Sequence, residues 1–214
     1  MEQLHMYKHS EKGLLITFCG LDGCGKTTMI RRLRDFLNNG GITPVLTKQP
    51  TNAVRQSEIF RTYMDSPEHD AFDYRSLSLL AASDRIQHAN KVILPELKKG
   101  KIVISDRYFY SCVANLRARG YTEDCWIQEI SGFIPLPDIA FFIDVPVSVA
   151  VSRVRNRPAE KDRFIDLPLQ YRLHDEYREL SRTKNGILLS SLISEEETFA
   201  QILHAIQKKI GERK

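Results

Sequence analysis

The segment with the clearest chemical meaning is a glycine-rich stretch that ends in a lysine and a threonine. Residues 20–27 are Gly-Leu-Asp-Gly-Cys-Gly-Lys-Thr, which fits the pattern G-x-x-x-x-G-K-[ST] between a strand-like run and a helix-like run. Glycines let backbone N–H groups turn toward phosphate oxygens, and the lysine and the helix N-terminus add positive charge. We therefore expect a nucleoside triphosphate site, with Lys26 on a surface loop. The predicted ATP-binding residues are Gly20, Asp22, Gly23, Cys24, Gly25, Lys26, Thr27 and Thr28.

A second polar pair follows the strand-like run at residues 101–105. Asp106 can hold a metal ion or its waters, and Arg107 beside it can bind a second phosphate group. Thr27 and Asp106 are thus the predicted ligands of Mg²⁺. This layout favours a phosphoryl-transfer kinase over a GTPase, because the chain has no N-K-x-D motif, and over a motor ATPase, because Asp106 is not followed by Glu. The alternative interpretation is a helix cap with a surface ion pair.

An arginine-rich segment follows the fourth strand-like run. Residues 153–163 (RVRNRPAEKDR) are either a solvated face or a flap that closes over the triphosphate and excludes water. In a kinase the flap is the favoured interpretation for Arg153 and Arg157. For Arg155 and Arg163 both interpretations stay open. The predicted catalytic residues are Lys26, Asp106, Arg107, Arg153 and Arg157.

The hydrophobic pattern predicts strands separated by helices. The strands are expected at 14–19, 43–48, 101–105, 139–144 and 186–190, and helices at 27–37, 53–64, 73–94 and from Ser194, whose Glu197 has capping-box spacing. Apolar strands of this kind indicate an α/β fold: a doubly wound, five-stranded parallel sheet with helices on both faces, the P-loop kinase fold. We expect residues 1–214 to form one domain with a lid at about 153–165.

Composition excludes several other classes of protein. The 31 Lys and Arg residues against 27 Asp and Glu leave a net charge of +4, too mild to indicate nucleic-acid binding. The sequence has no apolar run long enough for a membrane span and no secretory signal, so no membrane partner is expected. Four cysteines (Cys19, Cys24, Cys112 and Cys125) lack redox or zinc spacing. These features predict a cytoplasmic protein.

Four stretches in their order along the chain resemble the thymidylate kinases, the dTMP kinases among the nucleoside monophosphate kinases. The resemblance covers residues 14–182. It rests on the P-loop at 20–28, on residues 79–88 around Arg85, on Asp106-Arg107-Tyr108 with Ser111 and Ala114, and on residues 137–146 with the arginines that follow. A lid arginine combined with a P-loop that lacks one is similar to the bacterial subtype.

The resemblance implies a role for individual residues. Asp22 would meet the 3′-hydroxyl of the acceptor sugar, Arg107 the acceptor phosphate and Arg85 the base, while Asp106 would help to hold Mg²⁺. The resemblance also implies ATP and a nucleoside monophosphate as substrates, and a homodimer packed through helices. The expected substrate-binding residues are Asp22, Lys48, Gln49, Pro50, Arg85, Arg107, Tyr108, Ser111 and Asn115.

Departures from the family pattern concern the acceptor side. Thr47-Lys48-Gln49-Pro50 stands where the family usually has Thr-Arg-Glu-Pro, and Ala81 where a phenylalanine often stacks on thymine. Asn115 and Leu116 stand where Tyr-Gln is usual. We expect dTMP as acceptor, with Phe72, Tyr74 or Tyr108 able to replace the lost ring. Two alternatives stay open. The acceptor could be a different nucleoside monophosphate or a phosphorylated small molecule, or the protein could bind nucleotides through its P-loop without transferring phosphoryl groups.

Overall fold

The computed structural model describes residues 4–65 and 71–212 of the chain. The strands of this part are β1 (Tyr7–Lys8), β2 (Leu14–Cys19), β3 (Val45–Lys48), β4 (Ile102–Asp106), β5 (Pro135–Leu136), β6 (Ile139–Asp144) and β7 (Gly186–Ser190). Its helices are α1 (Lys26–Asn39), α2 (Asn52–Arg55), α3 (Glu58–Asp65), α4 (Tyr74–His88), α5 (Leu94–Lys98), α6 (Phe109–Ala118), α7 (Trp126–Ser131), α8 (Val147–Arg155), α9 (Leu167–Leu180) and α10 (Glu195–Gly211). A π-helical turn (Ala89–Ile93) joins α4 to α5, and a 3₁₀ turn (Pro158–Glu160) follows α8.

Five of the strands form a parallel sheet in the order β3-β4-β2-β6-β7. All six residues of β2 are buried, and β4 and β6 are buried along most of their length, because helices cover both faces. Helices α1 and α10 pack together against one face, while α4, α6 and α9 pack together on the other. The predicted fold class, a doubly wound five-stranded parallel sheet, is confirmed.

The helical segments differ from the predictions in two places. The helix expected at 53–64 is divided into α2 and α3 at Ser57, whose hydroxyl donates to the carbonyl of Val54 (2.7 Å). The helix expected at 73–94 changes to a π turn after His88, because Pro95 lacks the N–H that an α-helix would bond to the carbonyl of residue 91. The Ser194–Glu197 capping box is present at the start of α10.

One small element was not predicted at all. Strands β1 and β5 form a separate two-residue parallel pair, Tyr7 with Pro135 and Lys8 with Leu136. Two residues are too few for an alternating pattern, so the sequence holds no local signal for them. No helix of the described residues is long and apolar enough to cross a membrane.

The sheet places three predicted functional segments side by side. In the register of the sheet, Asp106 at the end of β4 lies beside Phe18 in β2 and beside Lys48 in β3. The glycine-rich loop follows β2 directly, so it begins at this same edge. Carboxyl ends of parallel strands are the usual place for a ligand crevice in such folds.

Candidate active site

Two adjoining cavities open at the carboxyl edge of the sheet. The larger has a volume of about 650 Å³ and the smaller about 290 Å³. The glycine-rich loop and the start of α1 line the smaller cavity, and α3, α4 and α6 line much of the larger. Six residues line both cavities, namely Asp22, Lys48, Arg55, Arg107, Glu160 and Arg163. A ligand in one cavity would therefore meet a ligand in the other at these residues.

The glycine-rich loop adopts the backbone turns that its sequence predicts. Gly20, Gly23 and Gly25 have φ angles of 137°, 84° and 105°, a region that favours glycine. Gly23 also packs so close to α8 that a Cβ atom there would lie 2.2 Å from the carbonyl oxygen of Ala150. Of the predicted ATP-binding residues, those that line the smaller cavity are Asp22, Gly23, Gly25, Lys26, Thr27 and Thr28; Gly20 and Cys24 lie behind the cavity wall.

Lys26 is buried, contrary to the expectation of a surface position. It is the first residue of α1, and its ammonium group donates to the carbonyl oxygens of Gly20 (3.1 Å) and Leu21 (2.7 Å). The loop thus curls around the ammonium group of the lysine. Lys26 also lines the smaller cavity, where it can reach an anionic ligand.

Asp22 and Arg107 form an ion pair at the boundary between the cavities. Nη2 of Arg107 lies 2.5 Å from Oδ1 of Asp22, and Nη1 of Arg163 lies 3.3 Å from Oδ2. Partial burial opposes ionisation of Asp22, but the charges of Arg107, Lys26 and Arg163 outweigh it and hold the pKa of this carboxyl well below its usual range. Asp22 is therefore a fixed negative charge within a cationic site.

Asp106 shares one carboxylate oxygen with Lys48 and keeps the other without a partner. Nζ of Lys48 lies 3.1 Å from Oδ2, whereas Oδ1 is buried and bonds to none of the described residues. An unpartnered buried carboxylate oxygen is costly unless something else binds it. The described residues contain no cluster of three His, Cys, Asp or Glu side chains that could hold an ion. A divalent ion at Asp106 would therefore need other ligands as well, such as hydroxyl, water or nucleotide oxygens.

The arginines of the segment 153–163 separate into two groups. Arg153 and Arg157 line the smaller cavity; Arg153 donates to Oγ of Ser191 (3.1 Å), and Arg157 pairs with Glu160 (3.3 Å). Arg163 lines both cavities and was not among the predicted site residues. Arg155 lines neither, because its guanidinium donates to the backbone carbonyls of residues 161 and 163 (2.6 and 2.7 Å). The charge run was visible in the sequence, but the direction of each side chain was not.

Polar groups of α4 and α6 line the far part of the larger cavity. Arg85 is buried and donates to the carbonyl oxygens of Ala81 (2.8 Å) and Tyr108 (3.4 Å). Ser111 and Asn115 lie one helical turn apart on α6, and the amide of Asn115 donates to the carbonyl of Ser111 (2.8 Å). The predicted substrate-binding residues that line this cavity are Asp22, Lys48, Pro50, Arg85, Arg107, Ser111 and Asn115.

Aromatic rings are present in the larger cavity, although Ala81 supplies none. Of the three rings suggested from the sequence, Tyr74 lines the cavity, whereas Phe72 and Tyr108 do not. Tyr63 meets Tyr74 edge to face at 5.0 Å, and the guanidinium of Arg119 lies 4.0 Å above the ring of Tyr74. Sequence reasoning missed Tyr63 and Arg119, because they come from two separate segments of the chain.

Two predicted substrate-binding residues lie outside both cavities. Gln49 is fully buried, and its Nε2 lies 3.0 Å from Nδ1 of His88, whose Nε2 lies 2.6 Å from Oγ1 of Thr47. Its carboxamide thus ties the end of β3 to α4. Tyr108 is also fully buried, and its hydroxyl donates to the carbonyl of Pro135 (2.7 Å). Both roles stay predictions, and packing in the core turns these two side chains away from the cavities.

Comparisons with known proteins agree with this geometry. A family model described as thymidylate kinase matches residues 18–202. The chain is 32% identical over 207 residues to a probable thymidylate kinase of Pyrococcus abyssi, covering 93% of this chain and 98% of that protein. It is 33% identical over 205 residues to a probable thymidylate kinase of Thermococcus kodakarensis (93% and 100% covered) and 31% identical over 212 residues to a thymidylate kinase of a Geobacillus species (94% and 100% covered).

The contact between Gly23 and α8 generates a prediction about nucleotide binding. Gly23→Ala places a methyl group against the carbonyl of Ala150, so the loop must shift. We expect the affinity for an unreactive ATP analogue to fall by about tenfold or more, measured by calorimetry. Gly41→Ala is the matched control, because Gly41 also has a positive φ (77°) but nothing within 4 Å of the added methyl. Equal losses in both variants would contradict the proposed contact.

Burial of His88 predicts a pH dependence of stability. Desolvation lowers the pKa of His88 below its ordinary value of 6.5, and the charge of Arg85 lowers it further against the opposing effect of Asp84. Below that ordinary value the unfolded chain binds a proton that folded His88 does not. The free energy of unfolding should therefore decrease as the pH falls from 6.5 to the lowered pKa of folded His88.

This dependence is measurable by urea unfolding from about pH 7.5 to about pH 5. His88→Gln should flatten the slope of stability against pH relative to the original protein. His204→Gln, in an exposed position on α10, should keep the original slope. The hypothesis is wrong if the two variants change the slope to the same extent.

Proposed function

The chain belongs to the thymidylate kinase family, and we propose from this membership that it transfers the γ-phosphoryl group of ATP to dTMP, giving ADP and dTDP. Members of this family are phosphotransferases. The single observation that carries the proposal is that the two cavities meet at the Asp22–Arg107 pair. A donor in the smaller cavity and an acceptor phosphate in the larger one would face each other there.

The smaller cavity is the donor site in this proposal. Backbone N–H groups of the glycine-rich loop and the N-terminus of α1 would bind the β- and γ-phosphates, with Lys26 between them. Arg153 and Arg157 line the same cavity and would offset charge on the transferring group. Residues 153–165 act as the lid of one P-loop kinase domain that comprises residues 1–214. When closed, the lid excludes water, so that the γ-phosphoryl group reaches the acceptor and is not hydrolysed.

The larger cavity is the acceptor site. Arg107 and Lys48 would bind the acceptor phosphate, since both cations line the boundary with the donor cavity. Asp22 can accept a hydrogen bond from a sugar hydroxyl. Arg85 would donate to a base carbonyl, and Ser111, Asn115 and Pro50 complete the wall. Catalysis in such a site is mainly the positioning of two phosphate groups and the neutralisation of their charge.

The donor set fits a divalent cation such as Mg²⁺. Asp106 has a buried oxygen that bonds to none of the described residues, and Thr27 lines the same cavity as Asp106. These two residues would hold the ion together with nucleotide oxygens, directly or through water. Bound there, Mg²⁺ would supply neutralising charge for the phosphate groups. Lys48, which pairs with the other oxygen of Asp106, keeps that carboxylate oriented.

An assay of acceptor-dependent ADP release tests the proposal. With ATP as donor, we expect dTMP to give the highest kcat/KM in a panel of dTMP, dUMP, dCMP, UMP, CMP, GMP and AMP. If another acceptor has a higher kcat/KM than dTMP, that compound is the substrate and the assignment of dTMP is wrong. If no member of the panel stimulates ADP release, the kinase proposal fails.

A variant of Lys26 separates phosphoryl transfer from contaminating activity. Lys26→Met should lower kcat by at least about a hundredfold, because a charge that acts on the transferring group is lost. Lys91→Met is the control, since Lys91 is exposed on the π turn and lines neither cavity. Circular dichroism should show both variants folded.

The protein also forms a homodimer in this proposal, packed through α4. Leu79 and Leu80 expose 46% and 38% of their surface on this helix, on the side away from the core. Two neighbouring exposed leucines on a helix favour burial against a second copy.

A cytoplasmic location is proposed as well, because all four cysteines are free thiols.

Sedimentation velocity tests the dimer. We expect a species of about twice 24.6 kDa for the original protein and the monomer mass for Leu80→Glu. Leu192→Glu, at a site that is 61% exposed before α10, should stay dimeric. A monomer in the original protein at micromolar concentration would refute this part of the proposal.

A further inference from the structure

Arg107 holds a backbone conformation that ordinary residues rarely adopt. Its φ angle is 66°, the single positive value among the non-glycine residues that the structure describes. Such a conformation persists where surrounding contacts determine it. The N–H of Arg107 donates to the carbonyl of Phe18 (2.8 Å), and its carbonyl accepts from Oγ of Ser105 (2.7 Å). The backbone is therefore anchored to β2 and β4, which leaves the direction of the guanidinium to be set by other contacts.

Three contacts hold the guanidinium itself. Nη2 donates to Asp22, and Nη1 donates to the carbonyl of Gly20 (3.3 Å) and to the hydroxyl of Tyr177 (2.9 Å). Gly20 and Asp22 belong to the glycine-rich loop, whereas Tyr177 comes from α9, the helix after the lid. The N–H of Nε is on the opposite side of the guanidinium from Nη1 and bonds to none of the described residues. It can therefore bind an oxygen of a phosphate group.

Tyr177 is well placed to fix that orientation. Its side chain is 5% exposed, and its hydroxyl, which accepts from Arg107, donates to Oγ of Ser111 (3.1 Å). Burial raises the pKa of Tyr177, so the phenol keeps the proton that it donates to Ser111. Two hydrogen bonds thus fix the hydroxyl, one accepted from Arg107 and one donated to Ser111 of α6.

We propose that Tyr177 is a positioning residue for the acceptor phosphate, whose hydroxyl sets the rotation of the Arg107 guanidinium. The inference rests on the proposed function, in which Arg107 binds that phosphate. Without the hydroxyl, Nη1 loses its nearer acceptor. The fork can then turn toward both oxygens of Asp22, one of which now pairs with Arg163. In that orientation the N–H of Nε no longer faces the acceptor phosphate.

The test is Tyr177→Phe, which removes one oxygen atom and keeps the ring. We expect KM for dTMP to rise by about tenfold, the dissociation constant of dTMP by calorimetry to rise in parallel, and KM for ATP to stay within about twofold. If the hydroxyl of Tyr177 had only a structural role, the variant would have a lower melting temperature, but KM for dTMP would not rise more than KM for ATP. Tyr110→Phe is the control, because Tyr110 is fully buried and, unlike Tyr177, lines neither cavity. It should keep both KM values.

The outcomes distinguish this inference from the proposed function. An original protein that neither binds nor phosphorylates dTMP or any other monophosphate of the panel overturns the proposed function, and the inference with it. An active original protein whose Tyr177→Phe variant keeps its acceptor KM and dissociation constant overturns the inference alone. Equal increases in the KM of ATP and of the acceptor also overturn it, because a loss of orientation at Arg107 would not weaken the donor site to the same extent.

Discussion

Electrostatic repulsion between two phosphate groups is the constraint on which the arrangement of this site depends. Two polyanions can approach within bonding distance only where fixed cations offset their charge. Of the six residues common to both cavities, four are cationic (Lys48, Arg55, Arg107 and Arg163) and two are acidic (Asp22 and Glu160). The acidic side chains pair with arginines, so the cations are held in place by hydrogen bonds as well as by packing. The site is therefore preorganised for anions.

The parallel sheet supplies the rigid half of this arrangement. Strands β2 and β4 pair along five residues, and their adjacent ends carry the glycine-rich loop and the Asp106–Arg107 pair. The second half comes from α8, the segment between α8 and α9, and α9, which contribute Arg153, Arg163 and Tyr177. Gly23 joins the halves, because its lack of a side chain lets the loop lie against α8. A movement of α8 or of the lid would thus shift residues that line both cavities.

Sequence reasoning succeeded where a short segment carries its own signal. The glycine-rich loop, Asp106, Arg107 and the strands around them follow from local pattern, and the structure places them at one edge of the sheet. Gln49 and Tyr108 also lie within matching motifs, but their side chains point into the core, which the motifs do not indicate. Gln49 bonds to His88, which is 39 residues away along the chain. Such a partner cannot be recognised from the neighbours of Gln49 in sequence.

The sequence by itself determined the fold class and the phosphate-binding loop, because hydrophobic period and glycine spacing act on a local scale. Only the tertiary structure decided which arginines of the segment 153–163 enter the site, which tyrosines line the larger cavity, and that Tyr177 contacts Arg107. These are contacts between side chains separated by as many as 141 residues. The direction of a side chain depends on the packing of all elements around it, and no local pattern encodes that packing.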